Sequence, residues 1–275
     1  MIELENNIND FFLDFKFVTS ESEQKKEAKR EARKAGPPVE TEAQIEEKNQ
    51  IYRYLVYDRK VKHLVHFTPI TNVRSILENG LLPRTDLQQM EIDAAIPDPE
   101  RWDSCYDYSS LSVSYPNYKV LYAKRLQGKF VFAGLLLDPR LILNKPLEDI
   151  SYLTDNAAAK GNGIIEEKTG LNAAKALFND TVDFFGKKIN RTQLDIPSYY
   201  TTNPQAEVFV WGAIDPVYIT TIVVETDANR KELLKEIMVL PIDKRKQIYK
   251  GEWFFRGRKD HQYWKNVSNT NEVDE

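Results

Sequence analysis

The segment 129–137, Lys-Phe-Val-Phe-Ala-Gly-Leu-Leu-Leu, constrains the fold more than any other part of the chain. Its residues are almost continuously apolar, so both faces of a strand formed here would need cover from other elements. A strand with one solvated face would instead alternate apolar and polar residues. The sequence therefore predicts a central strand that is buried on both sides.

The remaining periodic segments divide between strands and helices. Alternating or apolar runs predict further strands at 64–67, 111–115, 207–211 and 218–225. Apolar residues at helical spacing predict helices at 51–59, 73–79, 173–185 and 229–238, the last with Leu233, Leu234 and Ile237 facing inward. Residues 83–110 are predicted to form a loop. Strands and helices do not alternate regularly, which favours the α+β class over a doubly wound sheet.

The first 55 residues differ in composition from the rest of the chain. Residues 20–48 contain almost no large apolar side chains and carry a basic run followed by a glutamate-rich run. Such a segment cannot bury enough surface to offset its ordering entropy. We predict a charged extension at 1–55, containing a solvated helix and a linker, and a main domain at 56–275. An alternative is that the basic run contacts phosphates.

The composition excludes several classes of protein. The chain has one cysteine, Cys105, and three histidines without metal-ligand spacing, so we predict no disulfide and no metal site. No apolar run is long enough to span a membrane, and no secretory leader is recognisable. We therefore expect a soluble cytoplasmic protein without membrane partners. The net charge of −4 means that any nucleic-acid contact requires a local basic patch.

Three segments carry the candidate chemistry. Residues 66–81 combine a strand end at His66, a turn, a short helix capped by Thr71 or Asn72, and a stop at Gly80. Residues 111–119 place serines and tyrosines on a strand and just after it. Residues 203–211 open an apolar strand with a single carboxylate, Glu207, after a turn-rich loop. The glycine-rich motifs of Rossmann and P-loop nucleotide sites are absent from the sequence.

In this order, the three segments resemble the DarT family of toxins, which transfer ADP-ribose from NAD onto nucleic-acid bases. The resemblance covers about residues 60–245 and is strongest at 64–82, 111–123 and 203–211. It implies an ADP-ribosyltransferase-like fold, with central split mixed sheets, flanking helices and an N-terminal helical extension. NAD would lie bent in a cleft between the sheets as the ADP-ribose donor. It also implies a toxin of a toxin–antitoxin or phage-defence system, with a macrodomain-type or other antitoxin as partner.

The resemblance assigns roles to individual residues. Glu207 would be catalytic, because a carboxylate on the ribose 2′-hydroxyl stabilises the positive charge that develops as the nicotinamide bond breaks. Arg101 would bind the diphosphate and assist catalysis, with Arg84 as the alternative. The other predicted NAD-binding residues are His66, Thr68, Asn72, Gly80, Leu81 and Ser114. The predicted substrate-binding residues are Tyr118, Lys119, Tyr199, Tyr200, Thr201 and Thr202.

Several alternatives remain open at the level of sequence. The pair Glu166 and Glu167 is a second carboxylate candidate, although its glycine-rich surroundings favour a solvated loop. The run 254–265 interleaves cations and rings, which suits single-stranded nucleic acid or a packed terminal segment. The target base could be thymine, guanine or a base in RNA. A protein-directed transferase and a non-catalytic binding module are the alternatives from other classes.

Overall fold

A computed structural model describes residues 24–97, 105–157, 168–184 and 187–269 of the chain. The chain divides into two compact units, Met1–Thr41 and Glu42–Glu275. The second unit therefore begins at Glu42, fourteen residues before position 56, where the composition placed the start of the main domain. Three residues considered above, Arg101, Glu166 and Glu167, lie outside the described residues.

The described part of the first unit contains one helix, α1, at 24–34. Its side chains are exposed or only partly buried. Pairs of opposite charge three residues apart support it, Glu27 with Arg30 at 2.9 Å and Glu31 with Lys34 at 2.5 Å. The glutamate hydrogen bond raises the pKa of Lys34 above its usual value. The helix therefore exposes mainly charged side chains, as the composition of the segment predicted.

Seven of the strands described in the second unit form one mixed sheet, in the order β4-β7-β2-β1-β3-β8-β9, and two others form a hairpin, β5-β6. Only the β8–β9 pair is parallel among these described pairings. The strands are β1 (Leu64–Pro69), β2 (Tyr108–Val113), β3 (Phe132–Leu137), β4 (Ile150–Leu153), β5 (Thr181–Phe184), β6 (Lys187–Asn190), β7 (Glu207–Trp211), β8 (Ile219–Val224) and β9 (Gln247–Lys250).

The described helices of the second unit flank the large sheet or pack against the β5–β6 hairpin. In chain order they are α2 (Glu42–Arg53), α3 (Val73–Asn79), α4 (Arg84–Gln89), α5 (Tyr118–Leu126), α6 (Leu141–Asn144), α7 (Gly170–Ala176), α8 (Arg191–Leu194), α9 (Asp227–Ile237) and α10 (His261–Asn269). A π-helical turn, Tyr54–Asp58, extends α2, and a 3-10 turn, Glu252–Phe255, follows β9.

The large sheet splits between β1 and β2. Strand β1 pairs with β3 along all six of its residues, but it pairs with β2 only at Leu64–Val113 and Val65–Ser112. The rest of β2 pairs with β7. Beyond Val65 the two halves therefore separate and leave a gap between them. This is the predicted α+β architecture with a split mixed sheet, and the prediction is confirmed.

The central strand β3 is buried at every residue, as the apolar run predicted. One face of the sheet packs against α2, α3, α7 and α9 in the main hydrophobic cluster. The other face packs against α5 and the turn Glu252–Phe255. Gly134 is required in this strand because a Cβ atom would lie 2.3 Å from the Phe254 ring. The turn Glu252–Phe255 can therefore approach the sheet this closely only because residue 134 is a glycine.

Two charged residues of α2 bind the ends of neighbouring helices. Lys48 is buried and donates hydrogen bonds to the carbonyls of Leu143 and Lys145, at 3.2 and 3.1 Å, where α6 ends. Glu47 accepts a bond from the Leu171 N–H at 2.8 Å, at the start of α7. Both contacts satisfy helix-terminal groups that have no partner within their own helix. The glutamate-rich run is thus part of the packed body and not of a linker.

Three predicted elements differ from the structure. The helix predicted at 173–185 ends at Ala176, and Thr181–Phe184 forms a strand because its alternating residues pair with β6. The predicted loop at 83–110 contains α4 and the first residues of β2. In α9, Leu233 and Ile237 are buried as predicted, but Leu234 is 44% exposed.

Across the described ranges, none of the helices combines the length and apolarity that a membrane crossing requires. The same ranges contain no group of three or more His, Cys, Asp or Glu side chains placed to hold a metal ion.

Candidate active site

A cleft of about 290 Å³ lies where β1 and β2 separate. Its walls come from both halves of the sheet and from the segments that follow them. They are the end of β1 (66–69), the turn after α3 (80–84), the segment 94–97, strand β2, the start of α5, and residues Asn156 and Glu207. The cleft therefore gathers residues from distant parts of the chain at the split in the sheet.

His66 lies at the point where the β1–β2 ladder stops. Its Nδ1 atom lies 2.9 Å from the backbone carbonyl oxygen of Ser110 on β2. Because a carbonyl only accepts, Nδ1 of His66 carries the proton in this contact. The imidazole thus replaces the next backbone hydrogen bond of the ladder and holds the two halves of the sheet at the mouth of the split.

Thr68 and Asn72 build the adjoining wall. The Asn72 side chain donates to Thr68 Oγ1 at 3.0 Å and to the Ala95 carbonyl at 2.8 Å, and it accepts from the Ala95 N–H at 2.8 Å. Asn72 precedes α3 as expected, but its side chain does not cap the helix. It instead forms a pair of hydrogen bonds with the backbone of Ala95, as a residue in a neighbouring strand would. These bonds hold the segment 94–97 along the cleft.

Gly80 and Leu81 also line the cleft. Gly80 has φ +99°, and a Cβ atom there would lie 2.9 Å from the Ile214 carbonyl oxygen. Leu81 exchanges two backbone hydrogen bonds with Ile214, at 2.9 and 3.0 Å. The glycine therefore allows the chain to turn and to bridge directly onto the segment after β7.

Glu207 is the first residue of β7, and its carboxylate is held at both oxygens. Oε1 accepts the Ser110 hydroxyl at 3.0 Å, and Oε2 accepts the Ala157 backbone N–H at 2.8 Å. The side chain is buried but lines the cleft. These two bonds fix the orientation of the carboxylate, while its remaining acceptor capacity allows a bond from a ligand hydroxyl. A charge fixed in this way can stabilise a positive charge developing in the cleft.

Ser110 connects the two walls. Its carbonyl oxygen accepts from His66, and its hydroxyl donates to Glu207. Ser114 is the serine predicted from the sequence to contact NAD here, but it follows the strand with φ +61° and is not among the residues that line the cleft. The serines of β2 that line the cleft are Ser109, Ser110 and Ser112.

Two buried arginines hold the loop that leads to Glu207. Arg258 donates to the carbonyls of Thr201 and Thr202 at 2.8 and 3.2 Å, and it pairs with buried Asp260 through two contacts of 2.7 and 2.5 Å. Arg191 donates to the Thr202 hydroxyl at 3.0 Å and to the Pro197 carbonyl at 2.7 Å. Burial lowers the pKa of Arg191 to about 10, so it remains charged at neutral pH. Thr201 and Thr202 are therefore anchored inside the protein.

The other predicted substrate-binding residues are not among those that line the cleft. Tyr199 and Tyr200 are at the start of the anchored loop, with ring centroids 5.0 Å apart. Tyr118 and Lys119 begin α5; the Tyr118 hydroxyl is buried without a hydrogen-bond partner among the described residues. The Lys119 ammonium lies 4.6 Å from the Phe184 ring centroid, and burial lowers its pKa. Their role as substrate contacts stays a prediction.

Among the described arginines, Arg84 lines the cleft, at the start of α4. Its guanidinium lies 5.8 Å from the Tyr106 ring centroid. Lys124 on α5 is a second cation along the same cavity. The role predicted for Arg101 stays a prediction.

Sequence reasoning missed Ser110, Ala157, Arg191 and Arg258. Ser110 carried a weak signal, because it alternates with Ser112 in a strand whose start was placed too late. Arg258 lies in the run 254–265, whose cations and rings indicated a nucleic-acid surface or a packed segment and not a support for this loop. Ala157 and Arg191 carried no signal, since the fold recruits them from distant positions. Asn117, which also lines the cleft, is buried with an unpartnered Nδ2 within the described part of the chain.

A sheet that splits around a cleft, with a histidine on one wall and a fixed glutamate opening a strand on the other, defines the ADP-ribosyltransferase class of fold. The sequence profile of the DarT family, described as ssDNA thymidine ADP-ribosyltransferase, matches residues 65–255. Since this match covers most of the chain, the chain belongs to the DarT family, as the sequence resemblance predicted.

Two solved structures illustrate what this chain is similar to. Thermosipho africanus DarTG in complex with ADP-ribose is 20% identical over 70% of this chain, with a TM-score of 0.53. This chain covers 51% of the Thermosipho chain, about half its length. Thermus sp. 2.9 DarT in complex with NAD+ is 15% identical over 72% of this chain and 98% of its own, with a TM-score of 0.47. No curated protein matches the sequence.

Proposed function

We propose that this chain is an NAD-dependent mono-ADP-ribosyltransferase that modifies a nucleobase, thymine, in single-stranded DNA. The observation that carries the proposal is Glu207, which opens β7 with both carboxylate oxygens fixed and shares Ser110 with His66 across the cleft. Membership of the DarT family supports the reaction and the substrate class. The target base comes from the description of the family.

The reaction exchanges one glycosidic bond for another. The bond between C1′ of the ribose and the nicotinamide nitrogen breaks, and nicotinamide leaves with the electron pair as a neutral molecule. A ring nitrogen of the base forms the new bond to C1′ and loses its proton. Glu207 would accept a hydrogen bond from the ribose and stabilise the positive charge at C1′, and it is placed to receive the proton.

The residues that line the cleft would bind NAD, the ADP-ribose donor. Of the described side chains, Arg84 is the arginine placed along the cleft, and its planar donors suit a diphosphate. His66, Thr68, Gly80 and Leu81 would contact the nicotinamide half, and the segment 94–97 would close one side. Arg101 is proposed as a further diphosphate ligand from its place between His66 and β2. Ser114 is retained as a proposed NAD contact from the resemblance alone.

The biological setting is proposed from family membership. A transferase of this type would act as a toxin, and a partner antitoxin would neutralise it or remove the modification. A macrodomain is the type of antitoxin predicted from the sequence resemblance. The cytoplasmic location predicted from the single cysteine also stays a prediction.

The test is mass spectrometry of oligonucleotides after incubation with NAD and the full chain. Four single-stranded DNA strands would each contain one kind of base flanked by a common sequence, and RNA strands would match them. Glu207→Gln is the control, because it keeps the shape of the side chain and removes the charge. We expect an ADP-ribose increment on thymine-containing DNA that the control lowers by roughly 10²- to 10³-fold.

Other outcomes would change specific parts of the proposal. An increment on guanine or on RNA would keep the reaction and replace the substrate. Consumption of NAD without a modified strand would point to a protein target. Modification that persists in Glu207→Gln would remove Glu207 from the mechanism.

A further inference from the structure

Four aromatic rings form a continuous row beside the loop that leads to Glu207. The ring centroids of Tyr199 and Tyr200 are 5.0 Å apart, those of Tyr200 and Tyr115 are 5.5 Å apart, and those of Tyr115 and Trp253 are 5.9 Å apart. The two ends of the row are accessible, with Tyr199 38% and Trp253 48% exposed, whereas the middle rings are partly buried. We call these four residues the aromatic ledge.

The aromatic ledge joins segments that are far apart in the chain. The Tyr115 hydroxyl donates to the Trp253 carbonyl at 2.6 Å and lies 3.2 Å from the Arg256 carbonyl. Burial raises the pKa of Tyr115 to about 12, so this hydroxyl keeps its proton. The Arg258 guanidinium lies 5.3 Å from the Tyr200 ring centroid while it holds Thr201. The ledge is therefore fixed before any ligand binds.

The segments that carry the aromatic ledge continue along the chain to residues of the cleft. Tyr199 and Tyr200 precede the anchored loop that ends at Glu207. Tyr115 lies between Ser112 and Asn117, which both line the cleft. A ligand that reaches the Glu207 carboxylate from this side would meet the rings outside the cleft.

The segment that contains Trp253 carries an excess of cations although the chain as a whole is acidic, and one of them, Lys250, also pairs with Asp227 outside the segment. Segment 250–260 carries four cations and two carboxylates, a net charge of +2, in a chain with a net charge of −4. Lys259 is exposed, and Arg256 is largely exposed while it pairs with Glu252. Accessible rings beside a local excess of cations suit a strand of phosphates with unpaired bases.

From these observations we infer that the aromatic ledge is a stacking surface for single-stranded DNA, which holds bases next to the target base outside the cleft. The inference rests on the proposed function and adds Trp253 and Tyr115 to the substrate surface. The outer rings would stack on bases, and Arg256 and Lys259 would neutralise phosphates. Because every base offers a π-face, the surface would bind without strong sequence preference.

The experiment measures binding of a labelled oligothymidine strand by fluorescence anisotropy. All proteins carry Glu207→Gln in the full chain, so that no modification occurs during the titration. Trp253→Ala removes the outer ring, and Trp253→Phe keeps a ring at the same position. Tyr57→Ala is the matched control, since Tyr57 is 60% exposed and lies in the π-helical turn after α2, outside the ledge.

We expect Trp253→Ala to weaken binding of the strand by roughly 5- to 150-fold, the range for losing one base–ring stack. Trp253→Phe should recover most of the affinity, and Tyr57→Ala should leave it unchanged. Thymidine monophosphate, which is too short to bridge the cleft and Trp253, should bind all variants equally. Circular dichroism would establish that each variant is folded, and Tyr199→Ala provides a second test at the other end of the ledge.

Equal affinity of the strand for the Glu207→Gln protein, its Trp253→Ala variant and its Tyr199→Ala variant would overturn the inference. A failure of the proposed function has a different signature. In that case the protein without substitutions would add no ADP-ribose to any strand in the presence of NAD, although Trp253→Ala still weakened binding.

Discussion

The two walls of the cleft are held in different ways. The β1 wall continues into the hydrophobic core and pairs with β3 along its whole length, and its polar contacts, such as those of His66 and Asn72, supplement that pairing. The Glu207 wall depends on polar contacts between distant segments: Ser110, Ala157 and Arg258. Packing distributes its stabilisation over many atom contacts, whereas one substitution can remove a polar contact completely. Substitutions should therefore affect the second wall more strongly.

The largest effect is expected at Arg258. Arg258→Met would leave the Asp260 carboxylate buried without its partner and release the carbonyls of Thr201 and Thr202. Breaking a buried pair in this way costs about 3–5 kcal/mol of the free energy of unfolding. Urea denaturation measures it. Arg256→Ala, which removes an exposed pair, should cost less than about 0.5 kcal/mol.

A second substitution separates charge burial from packing at this position. Adding Asp260→Asn to Arg258→Met removes the unpaired charge and keeps an acceptor for the Trp264 indole, so part of the stability should return. If Arg258→Met and Arg256→Ala had equal unfolding free energies, the loop would not depend on the buried pair.

Ser110→Ala tests the fixation of the carboxylate. The substitution removes the hydroxyl that binds Glu207 but keeps the carbonyl that binds His66. A hydrogen bond to a charged group contributes about 1.5–3 kcal/mol, so the turnover number should fall by roughly 10- to 100-fold. Steady-state kinetics with saturating NAD would show this.

Ser151 provides the matched control for Ser110. The two serines flank Phe209 of β7 in register, from β2 and β4. The Ser151 hydroxyl is buried and has no hydrogen-bond partner within the described residues. Ser151→Ala should leave turnover unchanged, and an equal loss in both variants would mean that the sheet, not the Glu207 contact, is responsible.

A smaller effect is expected on the β1 wall. Asn72→Ala removes the three bonds that hold Ala95 and Thr68, and should loosen the segment 94–97. The KM for NAD should rise by roughly fivefold, from about 1 kcal/mol of lost positioning, with little change in turnover. Asn79→Ala, at the exposed end of α3, should change neither constant. A drop in turnover with unchanged KM would place Asn72 on the reactive side of the cleft.

The smallest effect concerns pH. Burial, with a contribution from Lys62, lowers the pKa of His63, which precedes β1, while Asp138 acts in the opposite direction. The unfolded chain therefore binds a proton more readily than the folded one, and stability should decrease as the pH falls through about 6.5 toward the lowered value. His63→Gln should show a weaker loss of unfolding free energy between neutral pH and about pH 5. An identical pH dependence in the two proteins would contradict the assignment.

The sequence predicted the parts of the site that are local. Residues 66–81 form one continuous block whose strand, turn, helix and glycine follow from short-range patterns, and Glu207 stands out because it opens an apolar strand. Ser110, Arg258 and Lys48 were not predicted as supports. A cation or a serine is buried with a partner only when the fold brings a carboxylate or a carbonyl to it, and composition alone describes it as a surface residue.

Ser110 gives the two walls a measure of independence. It serves the histidine through its main chain, which every amino acid possesses, and the glutamate through its side chain, which few amino acids could replace. Variation at this one position would therefore alter the reacting group while the donor site kept its shape. In an evolving lineage, such a position allows catalytic power to be lost or regained in a single step without rebuilding the pocket.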